Sequence, residues 1–289
     1  MQQQKADLLQ AVISGIVKNN VTPDINAWLH EKAKLIVEEK IAAQLNLTFS
    51  AVPRKTGKHS IKLTNEDTNT IKEIHREYSI NDWTIDRLCR VWLLLNIDSS
   101  DKENYFRKIE NLFKGAEMNE LVALYSALPG LDYAEDWQRQ CADGIRSNIG
   151  TVLEAIMYNN PYPYKYLGEQ AWNQLVLKAF FTEKDVNRII GLDERANKEL
   201  AAILIDYANE RWAAHRLVHP QLWRLVSKYI NASNFSNIER AFNSHQAEEK
   251  KAAALACFYS DYPPAKLLLE KEPALESAIV ENKLNWNSL

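Results

Sequence analysis

The stretch DYANERWAAHRLVHPQLW, residues 206–223, carries basic side chains at a spacing that could serve chemistry. At 3.6 residues per turn, helical geometry places Arg211 and His215 on the apolar face that also carries Tyr207. A guanidinium on a buried face needs a carboxylate, a carbonyl or a ligand, because an unpaired buried charge is strongly unfavourable. We therefore weigh two interpretations of Arg211: an internal ion pair or helix cap, and a binding site.

A binding pocket would draw on further side chains nearby. The planar guanidinium of Arg211 suits a carboxylate or a phosphate, and Glu210 lies at the edge of the same face. Upstream, residues 158–181 place four tyrosines before a helix with a tryptophan and an asparagine. These tyrosines either pack in the core, with hydroxyls bonded to helix ends, or rim a pocket for an aromatic or prenyl-like molecule. The candidate ligand-binding residues are Trp172, Asn173, Tyr207, Glu210, Arg211 and His215.

The string HRLVH separates His215 and His219 by four residues, a spacing that metal sites use on helices. It lacks the glutamate of HExxH, and Pro220 is expected to end the helix at His219. A helix-terminal histidine is therefore the favoured interpretation, and no metal or cofactor is assigned. The sequence also has no glycine-rich phosphate loop, GxSxG or CxxC motif. Whether the protein is an enzyme stays open.

Apolar residues recur at helical spacing along almost the whole chain, without convincing strand-like alternation. Only 8 glycines and 9 prolines occur in 289 residues. We predict an all-α fold, an irregular α-α superhelix of stacked helical hairpins without a fixed repeat. Residues 1–289 would form a single helical domain, or an N-terminal helical subdomain 1–130 followed by a core at 131–289.

Four segments carry expectations of their own. Residues 24–47 and 194–217 are each expected to form one long helix. The pattern breaks over 50–64, where the basic string PRKTGKHSIK is interpreted as a solvated loop. Residues 161–180 are expected to form one helix that starts after Asn160. The string AEEKKAAA has the mixed charge of a solvated helix face.

The formal net charge of −3 argues against a nucleic-acid-binding domain. The three cysteines lie far apart among large apolar residues, which indicates free buried thiols in a reducing compartment. The N-terminus lacks the pattern of a signal peptide, and the longest apolar run, VWLLLNI, is too short to span a bilayer. We expect a cytoplasmic protein without membrane insertion.

Four strings in the second half, WNQLVLKAFF, GLDERANKELA, DYANERWAAHR and PQLW, together resemble the EboA family. The resemblance implies a bacterial protein from a gene cluster associated with moving secondary-metabolite precursors toward the periplasm. It implies no catalytic residue, since the family has no assigned activity. The matching strings contain Trp172, Asn173, Asp193, Arg195, Asn197, Glu210, Arg211 and Trp212.

Three hypotheses about function follow. The favoured one is a non-catalytic helical accessory protein that binds a small metabolite or another protein of the same pathway. The alternative is an enzyme without a familiar motif that uses a polar pocket around Glu210 and Arg211. The third is a protein-binding scaffold with an exposed groove. A closed polar pocket around Arg211 would favour the enzyme, and an open apolar groove would favour the other two.

Overall fold

The computed structural model describes residues 2–38, 43–75 and 77–289, and the regular elements of these residues are all helices, with no β-strand among them. An isolated antiparallel bridge joins Ser60 and Thr84. The predicted all-α class is confirmed. The helices are α1 Gln2–Asn20, α2 Pro23–Glu38, α3 Ala43–Thr56, α4 Asn65–Ile74, α5 Ile85–Leu95, α6 Lys102–Gly115, α7 Met118–Ala127, α8 Gln138–Ile145, α9 Gly150–Met157, α10 Pro161–Tyr166, α11 Glu169–Phe181, α12 Lys198–Ala213, α13 Leu222–Val226, α14 Phe235–Phe242, α15 Ala247–Tyr259, α16 Pro263–Leu269 and α17 Pro273–Val280.

Internal contacts divide the chain into two units, Met1–Trp172 and Asn173–Leu289, and the boundary falls within α11. Residue 130, the predicted end of an N-terminal subdomain, lies inside the first unit. Each unit has its own set of buried apolar residues, and therefore its own core.

The first unit is built around α5, which packs against α1, α3 and α7. All but two of the eleven residues of α5 are buried, so the helix is covered on every side. A helix that is covered on every side lies in the centre of a core. Its buried residues include one cation, Arg90, of which only 1% is exposed.

Arg90 is held by partners from three helices. Its Nη1 lies 3.0 Å from Asp86 on α5, and its Nη2 lies 3.8 Å from Glu120 on α7. Glu120 also accepts a hydrogen bond of 2.8 Å from Ser50 on α3. Burial lowers the pKa of Arg90, and the neighbouring carboxylates oppose that shift. Arg90 therefore forms an internal ion pair, and its buried guanidinium has carboxylate partners on α5 and α7.

A third partner of Arg90 depends on a proline. Pro53 lies inside α3 and has no N–H to give to the carbonyl of Phe49, four residues earlier. Phe49 is fully buried, so its carbonyl would lack a donor without help from elsewhere. Arg90 supplies one, because its Nε–H donates to the Phe49 oxygen at 3.0 Å.

The expected break over residues 50–64 is therefore partly wrong. Helix α3 continues through Pro53 as far as Thr56, and Gly57 N–H bonds the Pro53 carbonyl at 3.1 Å. The irregular segment covers only residues 57–64, between α3 and α4. Of the predicted helix over 24–47, the structure describes α2, up to Glu38, and the first residues of α3, from Ala43; residues 39–42 lie outside the described part of the chain.

The second unit is built around α15, which packs against α13, α14, α16 and α17. The interpretation of AEEKKAAA as a solvated face is partly wrong: Ala247 and Glu248 are exposed, but residues 252–254 are fully buried, as are 255–257 after them. Because alanine is small, neighbouring helices can approach α15 from several directions. Their packing buries a helix whose sequence shows little amphipathic pattern. Glu249 is buried with it, at 7% exposed.

The three thiols are buried and unpaired, as predicted. Burial raises the pKa of Cys89 and of Cys257 to about 12, and it raises the pKa of Cys141 as well. Because the thiolate is the reactive form, we expect none of them to react with an aromatic disulfide reagent in the native protein. All three should react after denaturation in guanidinium. Rapid native-state reaction of any one thiol, followed by mass spectrometry, would contradict this placement.

Candidate functional site

A partly open cavity of about 780 Å³ lies in the second unit, between the end of α12 and the start of α15. We call it the α12–α15 groove. Its wall consists of Phe180 and Glu183 at and after the end of α11, Tyr207 and Arg211 on α12, and residues 216–220 and 246–249. Most of this wall is apolar. A cavity of roughly 300–1,000 Å³ with a few polar groups is typical of small-molecule sites.

The groove lies beside the end of α12, and this helix is shorter than predicted. The helix ends at Ala213, not at residue 217, and His215 adopts a left-handed conformation with φ of 55°. The chain then turns back, and Arg216 N–H donates to the Arg211 carbonyl at 2.8 Å. His215 departs from helical geometry and is exposed. Its predicted place on the buried face of α12 is therefore wrong.

Arg211 is half-buried in the groove wall. Its Nε–H donates to the Leu217 carbonyl at 2.9 Å, and its guanidinium carbon lies 6.0 Å from the centre of the Tyr207 ring. It forms no ion pair with any described residue. Neither structural interpretation of Arg211 holds: it has no ion pair among the described residues, and the carbonyl that it binds lies in the loop after its own helix, not at the end of a neighbouring helix.

Glu249 is the most buried charged side chain of the groove wall. It accepts hydrogen bonds from Trp212 Nε1 at 3.0 Å and from Ser244 Oγ at 2.6 Å. Trp212 in turn stacks on the buried Trp223, with ring centres 5.7 Å apart. The guanidinium carbon of Arg240 lies 4.2 Å from the centre of the Trp212 ring. The carboxylate is thereby fixed in one position beside the groove.

His219 contributes an imidazole to the groove wall. Its ring meets Phe180 edge to face at 5.6 Å, and its Nδ1 accepts the N–H of Gln221 at 3.2 Å. The residue is exposed overall, yet desolvation by the wall lowers the pKa of His219, and Asp185 and Glu183 oppose that shift. The bond from Gln221 also requires an unprotonated Nδ1. The imidazole is therefore neutral in this arrangement.

Arg224 joins three segments of the second unit. It binds Asp193 through Nε at 2.6 Å and also through Nη2, and its Nη1 binds Asn187 at 3.0 Å. The buried Gln221 lies within 3.4 Å of the same guanidinium and donates to the Trp286 carbonyl. This fork is structural, and it accounts for Asp193 in the string GLDERANKELA.

Two of the six predicted site residues, Tyr207 and Arg211, line the groove. Trp172 is fully buried, and Asn173 is buried in a reciprocal amide pair with Asn197, at 2.9 and 3.3 Å. Asn197 also caps the start of α12. Glu210 and His215 are exposed and do not belong to the groove wall.

The tyrosines of residues 158–166 are placed in the first unit. Tyr162 is fully buried and donates to the Ala134 carbonyl at 2.6 Å, which agrees with the core interpretation. Asn160 caps α10 by accepting the N–H of Tyr162, as its position before Pro161 predicts. The single helix predicted over 161–180 is instead two, α10 and α11, separated by Leu167 and Gly168.

The histidine pair of HRLVH does not share a helical face, because α12 ends before both residues. Within residues 2–38, 43–75 and 77–289, no three histidine, cysteine or acidic side chains are grouped as metal ligands. In the same part of the chain, no helix combines the length and the apolar character needed to cross a membrane.

The groove wall shows which residues sequence reasoning missed. Residues 247–249 open the string AEEKKAAA, which was interpreted as a solvated helix face and not as part of a site. Arg224, which lies outside the groove wall, stands directly after PQLW and was not singled out from the sequence.

A protein-family model described as "Metabolite traffic protein EboA" matches residues 7–227. The chain belongs to the EboA family. The resemblance found in four strings is thereby confirmed, and the family match extends through the first unit, where no motif was recognised. Of the groove wall, Phe180, Tyr207, Arg211 and residues 216–220 lie within the EboA match, whereas residues 246–249 lie beyond it. No curated protein and no solved structure matches the chain.

Proposed function

We propose that this EboA-family protein binds an apolar small molecule in the α12–α15 groove, as a non-catalytic accessory protein. The observation that carries the proposal is the groove itself: a partly open, mostly apolar cavity of about 780 Å³ inside the second unit. Apolar walls gain binding free energy in proportion to the area they remove from water. The family description, metabolite traffic, agrees with a protein that holds a molecule without altering it.

The polar groups of the wall favour binding over catalysis. Glu249 accepts two hydrogen bonds and His219 Nδ1 accepts one, so both are occupied as acceptors inside the protein. The described wall contains no serine, threonine or cysteine that could act as a nucleophile. The alternative of an enzyme with Glu210 in a polar pocket loses support, because Glu210 is exposed outside the groove.

The setting of this binding step extends the same proposal. We place the protein in the cytoplasm of a bacterium, where free thiols such as its three buried cysteines persist. There it would take up a precursor of a secondary metabolite and pass it to another protein of the pathway, toward the periplasm.

A fluorescent titration with the uncharged dye phenylnaphthylamine tests the groove. The dye should bind saturably to the parent protein. Ala247→Phe fills the groove from the exposed start of α15, and we expect it to weaken binding at least about tenfold, equivalent to about 1.4 kcal/mol. The matched control is Ala274→Phe, which alters an exposed alanine in the first turn of α17, outside the groove. Equal affinities in all three proteins would overturn the proposal.

A further inference from the structure

We infer that the molecule held in the α12–α15 groove carries one oxyanion, a carboxylate or sulfonate type of group, on an apolar body, and that Arg211 binds this group. The inference rests on the proposed function and specifies its ligand class. It follows from the unmatched donors of Arg211, the disposition of the acidic groups around it and the apolar character of the remaining wall.

Arg211 is a positioned and only partly used donor. Of its five N–H groups, only Nε–H has a partner among the described residues, the Leu217 carbonyl at 2.9 Å. That bond orients the guanidinium, whose central carbon lies 6.0 Å from the centre of the Tyr207 ring. The Nη edge is the part that pairs with an oxyanion in a two-bond fork. A half-buried guanidinium in an apolar wall gains most from such a partner, because it is poorly hydrated there.

No acidic side chain of the wall supplies this partner. Glu249 accepts from Trp212 and Ser244, and Glu248 binds Lys251 Nζ at 2.7 Å. Glu183 is exposed and forms no ion pair within the described residues. Arg211 is thus a cation in the wall whose counter-ion has to come from the occupant.

The same three glutamates limit the charge of that occupant. Glu183, Glu248 and Glu249 all line the groove, so a head group with several negative charges would meet like charges close by. A single negative charge meets less of that repulsion and can still pair with Arg211. This separates a carboxylate or sulfonate from a diphosphate or a nucleic acid.

The rest of the wall accommodates an apolar body. Phe180, Leu217, Val218, Pro220 and Ala247 contribute carbon surface around the cavity. The ring of Tyr207 lies beside the guanidinium, which places an apolar face next to the charged edge. An aromatic or branched alkyl acid has the matching division between a carbon skeleton and one charged end.

Two dyes with nearly the same carbon skeleton distinguish the contribution of the anionic group to affinity from that of the apolar body. Anilinonaphthalene sulfonate carries one sulfonate, and phenylnaphthylamine lacks it. In the parent protein the anionic dye should bind about tenfold more tightly than the neutral dye, the ratio expected for one charge-assisted contact. In Arg211→Gln this preference should vanish, while the affinity for the neutral dye stays within about twofold of the parent value.

Arg54→Gln is the control, because Arg54 is an exposed arginine of α3 and does not belong to the groove wall. Removing the same charge there should change the preference by less than about twofold, since exposed charges are screened. Arg211→Lys should restore part of the preference but not all, since an ammonium lacks the two-bond fork. Inorganic diphosphate, added as a competitor at matched ionic strength, should not displace the anionic dye.

The outcomes distinguish the two proposals. If neither dye responds to Ala247→Phe, the proposed function itself fails. If the neutral dye responds to Ala247→Phe but Arg211→Gln leaves the anionic preference intact, the groove stands and the oxyanion inference is overturned. Equal losses in Arg211→Gln and Arg54→Gln, or displacement by diphosphate, would also overturn it, because they indicate general charge attraction.

Discussion

Methionine in place of Arg90 should lower the free energy of unfolding by about 3–5 kcal/mol, because it leaves buried partners without their cation. The carboxylate of Asp86, with 5% of its side chain exposed, would lose its ion pair at 3.0 Å, and the buried Phe49 carbonyl would lose its donor. Glu120, 9% exposed, would keep only Ser50 and its contact with the start of α7. Urea titration of the parent and the variant measures the difference.

Arg211→Met is the matched control, the same substitution at the arginine that the sequence suggested as buried. Arg211 is half-buried and forms one hydrogen bond, to a carbonyl, so its loss should cost about 0.5–1.5 kcal/mol. If Arg90→Met were as mild as Arg211→Met, the network around Arg90 would not act as an internal ion pair.

Alanine in place of Gly144 should destabilise the protein by about 1–3 kcal/mol through overpacking. A Cβ at this position of α8 would lie 2.5 Å from two ring atoms of Tyr125 and 2.7 Å from Ile156 Cδ1. Tyr125 is 4% exposed, so its ring has little room to move away. Glycine-to-alanine changes in helices normally stabilise by up to about 1 kcal/mol, and here the steric term outweighs that gain.

Gly15→Ala supplies the comparison, because Gly15 lies inside α1 and no neighbouring side chain comes within 4 Å of the place an alanine Cβ would take. We expect this variant to be more stable than the parent by about 0.4–1 kcal/mol, since alanine reduces the freedom of the unfolded chain. Relative to the parent, the midpoints of thermal and urea unfolding should fall for Gly144→Ala and rise for Gly15→Ala. A shift of the same sign in both would refute the packing assigned to Gly144.

The helical class and most helix positions could be predicted, because the period of apolar residues is a local property of the sequence. The predictions were wrong where contacts between helices, and not the local sequence, determine the structure. Pro53 is a helix breaker by local rules, and only the donor from Arg90 shows how the helix continues past it. The run of alanines in α15 has too little contrast between its faces to indicate burial.

The candidate site could be predicted only in part. Tyr207 and Arg211 lie on the regular part of α12, where extrapolation along the helix holds. His215 lies beyond its end, at a positive φ that no residue type in HRLVH announces. Residues 246–249 complete the wall through a helix that is distant in sequence, and periodicity carries no information on which helices meet.

The proline of α3 has a consequence for how this protein can change in evolution. Pro53 leaves the Phe49 carbonyl without a helical donor, and Arg90 from α5 fills the gap. With alanine at 53 the helix could satisfy that carbonyl by itself, so the loss of Arg90 would be less damaging. The two positions are therefore epistatic, and a lineage that abandons the buried arginine is expected to lose the proline first.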